Sequence, residues 1–567
     1  MFVDSDTTDI SQLPRPDAVV VGSGPAGIVC ALELAKSGLT VTLVESGKTR
    51  FSAETQALSD ANQIDTNRHA PMSECTRRQI GGASVIWGGR CVPYDPIDFA
   101  ERPHITNAKW PVAYHDVKPF FTRACEYFFC GEPTFTTHDI AEISQKTIVP
   151  GLTDGHVKSS DLERWSLPTN FGKEYAHQLA ISKQITVIQG LSCQEIVRSH
   201  DLSRVTEVRA ISSDGRPITL QANTFIIACG GLESTRLLMA SNQQSSRGIG
   251  GDSQHLGKYY MGHISGRIAR VKFHTNYRKT VYGFLRDRHG VYLRPRFTFT
   301  PEIQLKEQIA NSCAWLVNPM IGNPSHGNGV LSFAYLALTS PMGKYMASDA
   351  IRKSAVSGAP EHCTRQHIWN MIREFPKTAS FIPTFGIKRF ALRRRVPGFF
   401  QRSASNQYPL HYHCEQVPNP QSCVTLSDQV DATGLRRLNI DLQYTQQDVD
   451  SVIRAHKLID EHLRTNQLGQ LEYLTEDLEQ CVWNQATDGF HQAGTTRMSS
   501  RPEDGVVDPN CRVHGVDNLY VASGSVFPTS GQANTTFMIV VFALRLADHL
   551  KQSTTQLTPS PQTPHIG

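Results

Sequence analysis

The sequence has no apolar run long enough to span a bilayer: the longest, Phe537 to Leu544, ends at Arg545 after eight residues, and a spanning helix needs roughly 20. Net charge is small. Fifty-six Lys and Arg against 52 Asp and Glu leave +4 over 567 residues, too little for nucleic acid to be the main partner. Cysteine pairs are missing too. The 13 Cys, an odd number, stand singly, with no C-x-x-C and no Cys/His run at zinc spacing, so a reducing compartment is expected and a bound metal is not. Met1 to Asp17 carries Asp4, Asp6 and Asp9 where an export signal needs basic and apolar regions, which makes a cytoplasmic location the expectation. No internal repeat is visible. With 39% hydrophobic residues the chain can bury a large core, and wholesale disorder is excluded.

The polar, Pro-containing stretches 1–16 and 552–567 are expected to be mobile tails. Between them, Ala18 to Val21 reads as a buried strand, Ala26 to Ser37 as a helix and Thr40 to Val44 as a second strand, a βαβ unit. Short alternating runs from Ile185 predict a β-meander that ends in the strand Thr224 to Ala228. From Gly266 to Tyr444 β-rich runs predominate, followed by a helix over Asp448 to Thr465. A strand over Asn518 to Ala522 and a helix over Thr535 to His549 close the chain. The expected fold class is α/β: a discontinuous Rossmann-like domain (17–120, 180–265, 481–551) and a second domain with an antiparallel sheet (121–179, 266–480).

Gly22, Gly24 and Gly27 follow the first strand and open the helix, with Pro25 and Ala26 between them. Glycines there let backbone amides and the helix N-terminus approach a pyrophosphate. Glu45 ends the second strand, the place where a carboxylate accepts the ribose hydroxyls of an adenosine and repels a 2′-phosphate. A second glycine-rich segment, Gly81, Gly82, Ala83, Ser84, Val85, Ile86, Trp87, Gly88, Gly89, has no place in a plain nicotinamide half-domain. Paired glycines around a Trp suggest backbone wrapped on a flat ligand, which favours FAD over NAD. A third, Ala228, Cys229, Gly230, Gly231, again leads from strand to helix.

These pieces, with Glu415 to Asp428, His491 to Met498 and Asn518 to Asn534, resemble the glucose-methanol-choline oxidoreductases over almost the whole chain, Asp17 to Leu550, in particular their sugar-oxidising branch of pyranose and glycoside oxidases. The resemblance implies FAD-dependent oxidation of a hydroxyl of a sugar, glycoside or related polyhydroxylated metabolite to a carbonyl, with oxygen or an organic compound as electron acceptor. By position it makes His491 the base and Asn534 its partner, and it adds Ser46, Cys193, Ser523, Gly524 and Thr535 to the cofactor contacts. Asn534 could also be an N-cap of the helix that follows. That helix start can stabilise negative charge on the flavin. Relatives with covalently bound flavin have a His before the Trp of the second segment; Ile86 stands there, so non-covalent FAD is expected. The same fold also hosts lyase and decarboxylase chemistry, and a peripheral partner-binding flavoprotein is a third reading.

His411, His413 and Glu415 alternate along a strand and share a face, so they are candidate substrate contacts. His263 matches a position where the family often has a His near the flavin. The basic segment 388–402 fits a membrane surface, an anionic substrate, an acidic partner or simply a solvated face.

Overall fold

The computed structural model describes residues 1–557 except 145, 168, 243–246, 344–351, 353–359, 361–362 and 404. Its centre is a six-stranded sheet, all parallel, in the order Phe2–Asp4, Ile185–Gln189, Val41–Glu45, Ala18–Val21, Thr224–Ile227, Leu519–Val521. The inner strands are predominantly apolar because a parallel sheet covered on both faces has no solvent side; Val19, Val20, Leu43, Phe225 and Ile226 have no exposed surface. Helices Pro25–Lys36 and Thr536–Leu557 pack together beside it.

The second sheet is antiparallel, in the order Ser312–Leu316, Gln407–Glu415, His263–Phe273, Gly469–Tyr473. Strand alternation divides it sharply. Tyr408, Leu410, Tyr412 and Cys414 are buried in one apolar cluster with Val449, Val452 and Ile459 of the helix Gln446–Thr465. His411 and His413 stand on the opposite face, beside Trp315. That helix starts with a capping box in which Asp448 accepts from the Thr445 amide at 2.7 Å.

The structure differs from the sequence reading in several places. The first residues are not a loose tail: Phe2–Asp4 pairs with Val187–Gln189 as an edge strand, and Lys48 ties Asp4 and Asp6 at 2.8 and 2.7 Å. Their polarity suits an edge, which exposes backbone and welcomes charge. Ile185–Gln189 belongs to the parallel sheet, so the meander is only Leu191–Arg198, Val205–Ser212 and Pro217–Leu220. The stretch 266–444 is not uniformly β: helices Pro301–Glu307, Gly329–Thr339, Thr364–Arg373 and Phe375–Gly386 interrupt it. The last helix begins at Thr536 and runs to Leu557, so part of the expected 552–567 tail is helical; residues 558–567 lie outside the described residues.

Candidate active site

A cleft of about 1440 Å³, counted to its open mouth, runs along the C-terminal ends of the parallel strands. Gly22, Gly24, Pro25, Ala26, Glu45, Ser46, Gly82, Ala83, Ser84, Trp87, Cys193, Ala228, Gly230, Ser523 and Thr535 line it. The three glycine-rich segments therefore converge. Gly24 and Gly230 have no atom within 4 Å of where a Cβ would stand, so backbone there lies open to a ligand. Glu45 is held in place by bonds from Ser23 N and Oγ at 2.9 and 2.8 Å and from Gly47 N at 2.9 Å.

Gly27, Gly88, Gly524 and Asn534 do not line this cleft. Gly27 is needed for packing: a Cβ would stand 1.9 Å from the carbonyl oxygen of Gly22, whose φ of 103° in turn excludes a side chain. Gly524 is similar, its Cβ position 2.7 Å from the Gln492 carbonyl oxygen. Residues the sequence reading passed over also face the cleft, among them Arg78, Glu233, Phe490 and Gln492. Arg78 donates to Ser46 Oγ at 3.0 Å and pairs with Glu233. No His lines it among the described residues, and its thiols Cys75, Cys193 and Cys229 are all pushed up by burial, Cys193 to about 12. They are protonated and poorly nucleophilic.

His491 and Asn534 meet beyond the cleft. Asn534 Nδ2 lies 2.6 Å from His491 Nε2, and Arg90 Nη1 donates to Asn534 Oδ1 at 2.8 Å. Arginine has no acceptor, so the Asn oxygen faces Arg90 and the NH₂ faces the ring. His491 Nε2 is therefore the acceptor. A neutral ring then carries its proton on Nδ1, which lies 3.0 Å from Asp488 Oδ2. Among the described residues no helix amide uses the Asn534 side chain, so it is not an N-cap here.

Asp488 anchors this end. Its Oδ1 accepts from the amides of Gly489 and Phe490, both at 2.8 Å, and its Oδ2 from the His263 amide at 2.7 Å. Burial alone would raise its carboxyl, but His491 and His263 overcome that and hold it well below the usual range, so it stays ionised. At the other end Arg90 lies 2.8 Å from Glu163 Oε1, and Arg294 reaches Oε2 at 2.6 Å. Both guanidiniums lie over the Trp315 ring, 4.7 and 4.4 Å from its centroid. An ordered chain thus runs Glu163, Arg90, Asn534, His491, Asp488.

The three residues grouped by strand alternation separate. His413 donates from Nδ1 to the Gln532 carbonyl at 2.9 Å, and its ring centroid is 5.5 Å from that of His491. Burial first, with Arg90 nearby, holds its pKa well below the usual imidazole range and keeps it neutral. His411 lies against Trp315, its pKa also lowered by burial and by Arg267, Arg294 and Arg90. Glu415, the third candidate contact, instead holds Arg102 through bonds of 2.6 and 2.8 Å, both residues buried, as a buried carboxylate requires. His263 does reach the site, its ring 4.7 Å from His491 and 4.2 Å from His413. The three imidazoles bring one nitrogen each within 4.8 Å of one another, a donor set that the sequence reading did not assemble. Asp488 and Arg90 were missed as well; only a carboxylate three residues before a candidate base hinted at the first.

The comparisons with known proteins agree in kind. A family model described as GMC oxidoreductase matches residues 418–543, and one described as FAD binding domain matches 17–66. The 6'''-hydroxyparomomycin C oxidase of Streptomyces lividus is 31% identical, the match covering 94% of this chain and 92% of that protein. The 2-methyl-1,2-propanediol dehydrogenase of Mycolicibacterium austroafricanum is 20% identical over 97% of this chain and 98% of its own. The crystal structure of pyridoxine 4-oxidase from Mesorbium loti superposes with a TM-score of 0.51 at 14% identity, covering 94% of this chain and 99% of that one, a likeness of fold.

Proposed function

The chain belongs to the GMC oxidoreductase family, flavoenzymes that act on CH–OH groups, and from that premise we propose that it oxidises a hydroxyl of a sugar, glycoside or related polyhydroxylated metabolite, with His491 as the base. The observation that carries this reading is the bond between Asn534 Nδ2 and His491 Nε2, with Arg90 fixing the amide. The residues present fit FAD: the glycine-lined cleft would hold the pyrophosphate at the N-terminus of helix Pro25–Lys36 and the adenosine near Glu45. Phe490, Thr535 and Thr536 line the end next to His491. When bound, FAD supplies the acceptor for the hydride leaving the carbinol carbon.

The protein's own groups do the rest. A substrate hydroxyl displaces the Asn534 amide from His491 Nε2 and gives that nitrogen its proton. Asn534 then donates Nδ2–H to the developing alkoxide while Arg90 keeps its oxygen engaged. Asp488, ionised behind Nδ1, stabilises the imidazolium that results. His413 and His263, neutral through burial, close the site without adding charge. We further propose non-covalent attachment of FAD, supported by Ile86 at the position of the linking His and by the protonated thiols along the cleft.

The test is anaerobic flavin absorbance against a panel of sugars, glycosides and simple alcohols. Bleaching by one class is expected, with His491→Gln slowing it about 10²- to 10⁴-fold at unchanged FAD content. A yellow protein that no hydroxyl compound bleaches, or an undiminished His491→Gln enzyme, refutes the proposal.

A further inference from the structure

Helix Thr364–Arg373 is inside out. Its polar His367 and Asn370 point inward, His367 Nδ1 lying 3.0 Å from Ser332 Oγ and Asn370 Nδ2 donating to the Pro324 carbonyl at 2.8 Å. Its apolar Ile368, Trp369 and Ile372 face outward, with Trp369 63% and Ile372 60% exposed. The next helix, Phe375–Gly386, starts with Phe375 at 67% exposure, and the turn that follows adds Ile387 and Phe390. Single exposed apolar residues are ordinary on a protein surface. A concentration of them on two successive helices, the first of which turns His367 and Asn370 inward, is not.

Charge makes the choice of occupant. Between Thr364 and Arg402 the sequence holds nine Lys and Arg and a single acid, Glu374, in a chain whose whole surplus is +4. Arg365, Arg373, Lys377, Lys388 and Arg395 are exposed around the apolar residues. Aromatic and aliphatic side chains rimmed by cations suit the boundary of a bilayer with anionic headgroups. No described helix is long and apolar enough to cross a membrane, so such a surface lies on the bilayer.

We propose that the segment 364–395 docks the enzyme on an anionic lipid bilayer, Trp369, Ile372 and Phe375 entering the headgroup region and the basic residues meeting lipid phosphates. It is independent of the catalytic assignment, because none of these residues belongs to the site.

Flotation of the FAD-loaded, full-length enzyme with vesicles tests it. Vesicles of phosphatidylcholine and phosphatidylglycerol in equal parts should carry the protein at low salt, pure phosphatidylcholine vesicles should not, and salt should release it. Arg365→Gln with Lys388→Gln should weaken binding about 25-fold, at roughly fivefold per charge. Trp369→Ser with Phe375→Ser should abolish it, the melting temperature and flavin spectrum confirming folded variants. No flotation on the anionic vesicles overturns the proposal, as does flotation that neither variant reduces. A lipid-free dimer that Trp369→Ser with Phe375→Ser dissociates assigns the face to a second copy and overturns it equally.

Discussion

Asp488→Asn removes one charge and leaves the shape. In the structure Asp488 faces only donors: two turn amides on Oδ1, the His263 amide and His491 Nδ1 on Oδ2. An asparagine keeps one acceptor and turns NH₂ toward two of those donors. If the amide keeps its oxygen on the turn, His491 meets a donor at Nδ1 and must carry its proton on Nε2, the atom that accepts from substrate in the proposed mechanism. A hydrogen bond to an ionised group contributes about 1.5–3 kcal/mol, and about 1.36 kcal/mol is tenfold in rate, so flavin reduction should slow by about 10- to 150-fold. The altered tautomer pushes the loss toward or beyond the upper figure. Anaerobic stopped-flow reduction, with an alcohol that bleaches the wild type, measures this directly. Reduction within threefold of wild type, with FAD retained, would refute the tautomer argument.

Three further outcomes follow from the same geometry. Arg90→Lys keeps a charge but cannot hold Asn534 Oδ1 and Glu163 in one fork, so the reduction rate should fall about 10-fold or more with a smaller change in half-saturation; an equal loss in both would count against a positioning role. Gly24→Ala places a methyl where nothing lies within 4 Å, whereas Gly27→Ala drives one to 1.9 Å from Gly22 O. The first should cost FAD content with little change in apoprotein melting temperature, the second should cost both, and matching effects would refute the distinction. Asp448, fully buried, is pushed up by burial to about 7, above its unfolded value of about 3.9. The folded state therefore holds that proton to higher pH, and its contribution to stability falls as pH rises between about 4 and 7. Asp448→Asn should flatten that part of the melting-temperature profile, which an unchanged slope would contradict.

The legible parts of the sequence were those in which one short segment carries the whole physical requirement. Gly22, Gly24 and Gly27 with Glu45 announce a dinucleotide cleft because strand, turn, helix and acid are contiguous, and the structure builds the cleft from that unit. His491 and Asn534 were nameable through the resemblance alone, 43 positions apart with no local pattern to join them. What tertiary structure decided depends on partners far apart in the chain. Strand alternation put His411, His413 and Glu415 on one face, but only Arg102, 313 positions away, shows that Glu415 is committed to a buried ion pair. Arg90 reads as the end of a glycine-rich loop until folding brings it 444 positions to Asn534. The outward apolar face of Thr364–Arg373 needed the inward contacts of His367 and Asn370, because periodicity shows that a helix has two faces and only packing says which one is covered. Sequence therefore determined the cofactor class and the parallel core, where the requirement is local. The tautomer of His491, the fate of Glu415 and the direction of the basic helices were settled by long-range contacts, whose charge and burial no local pattern encodes.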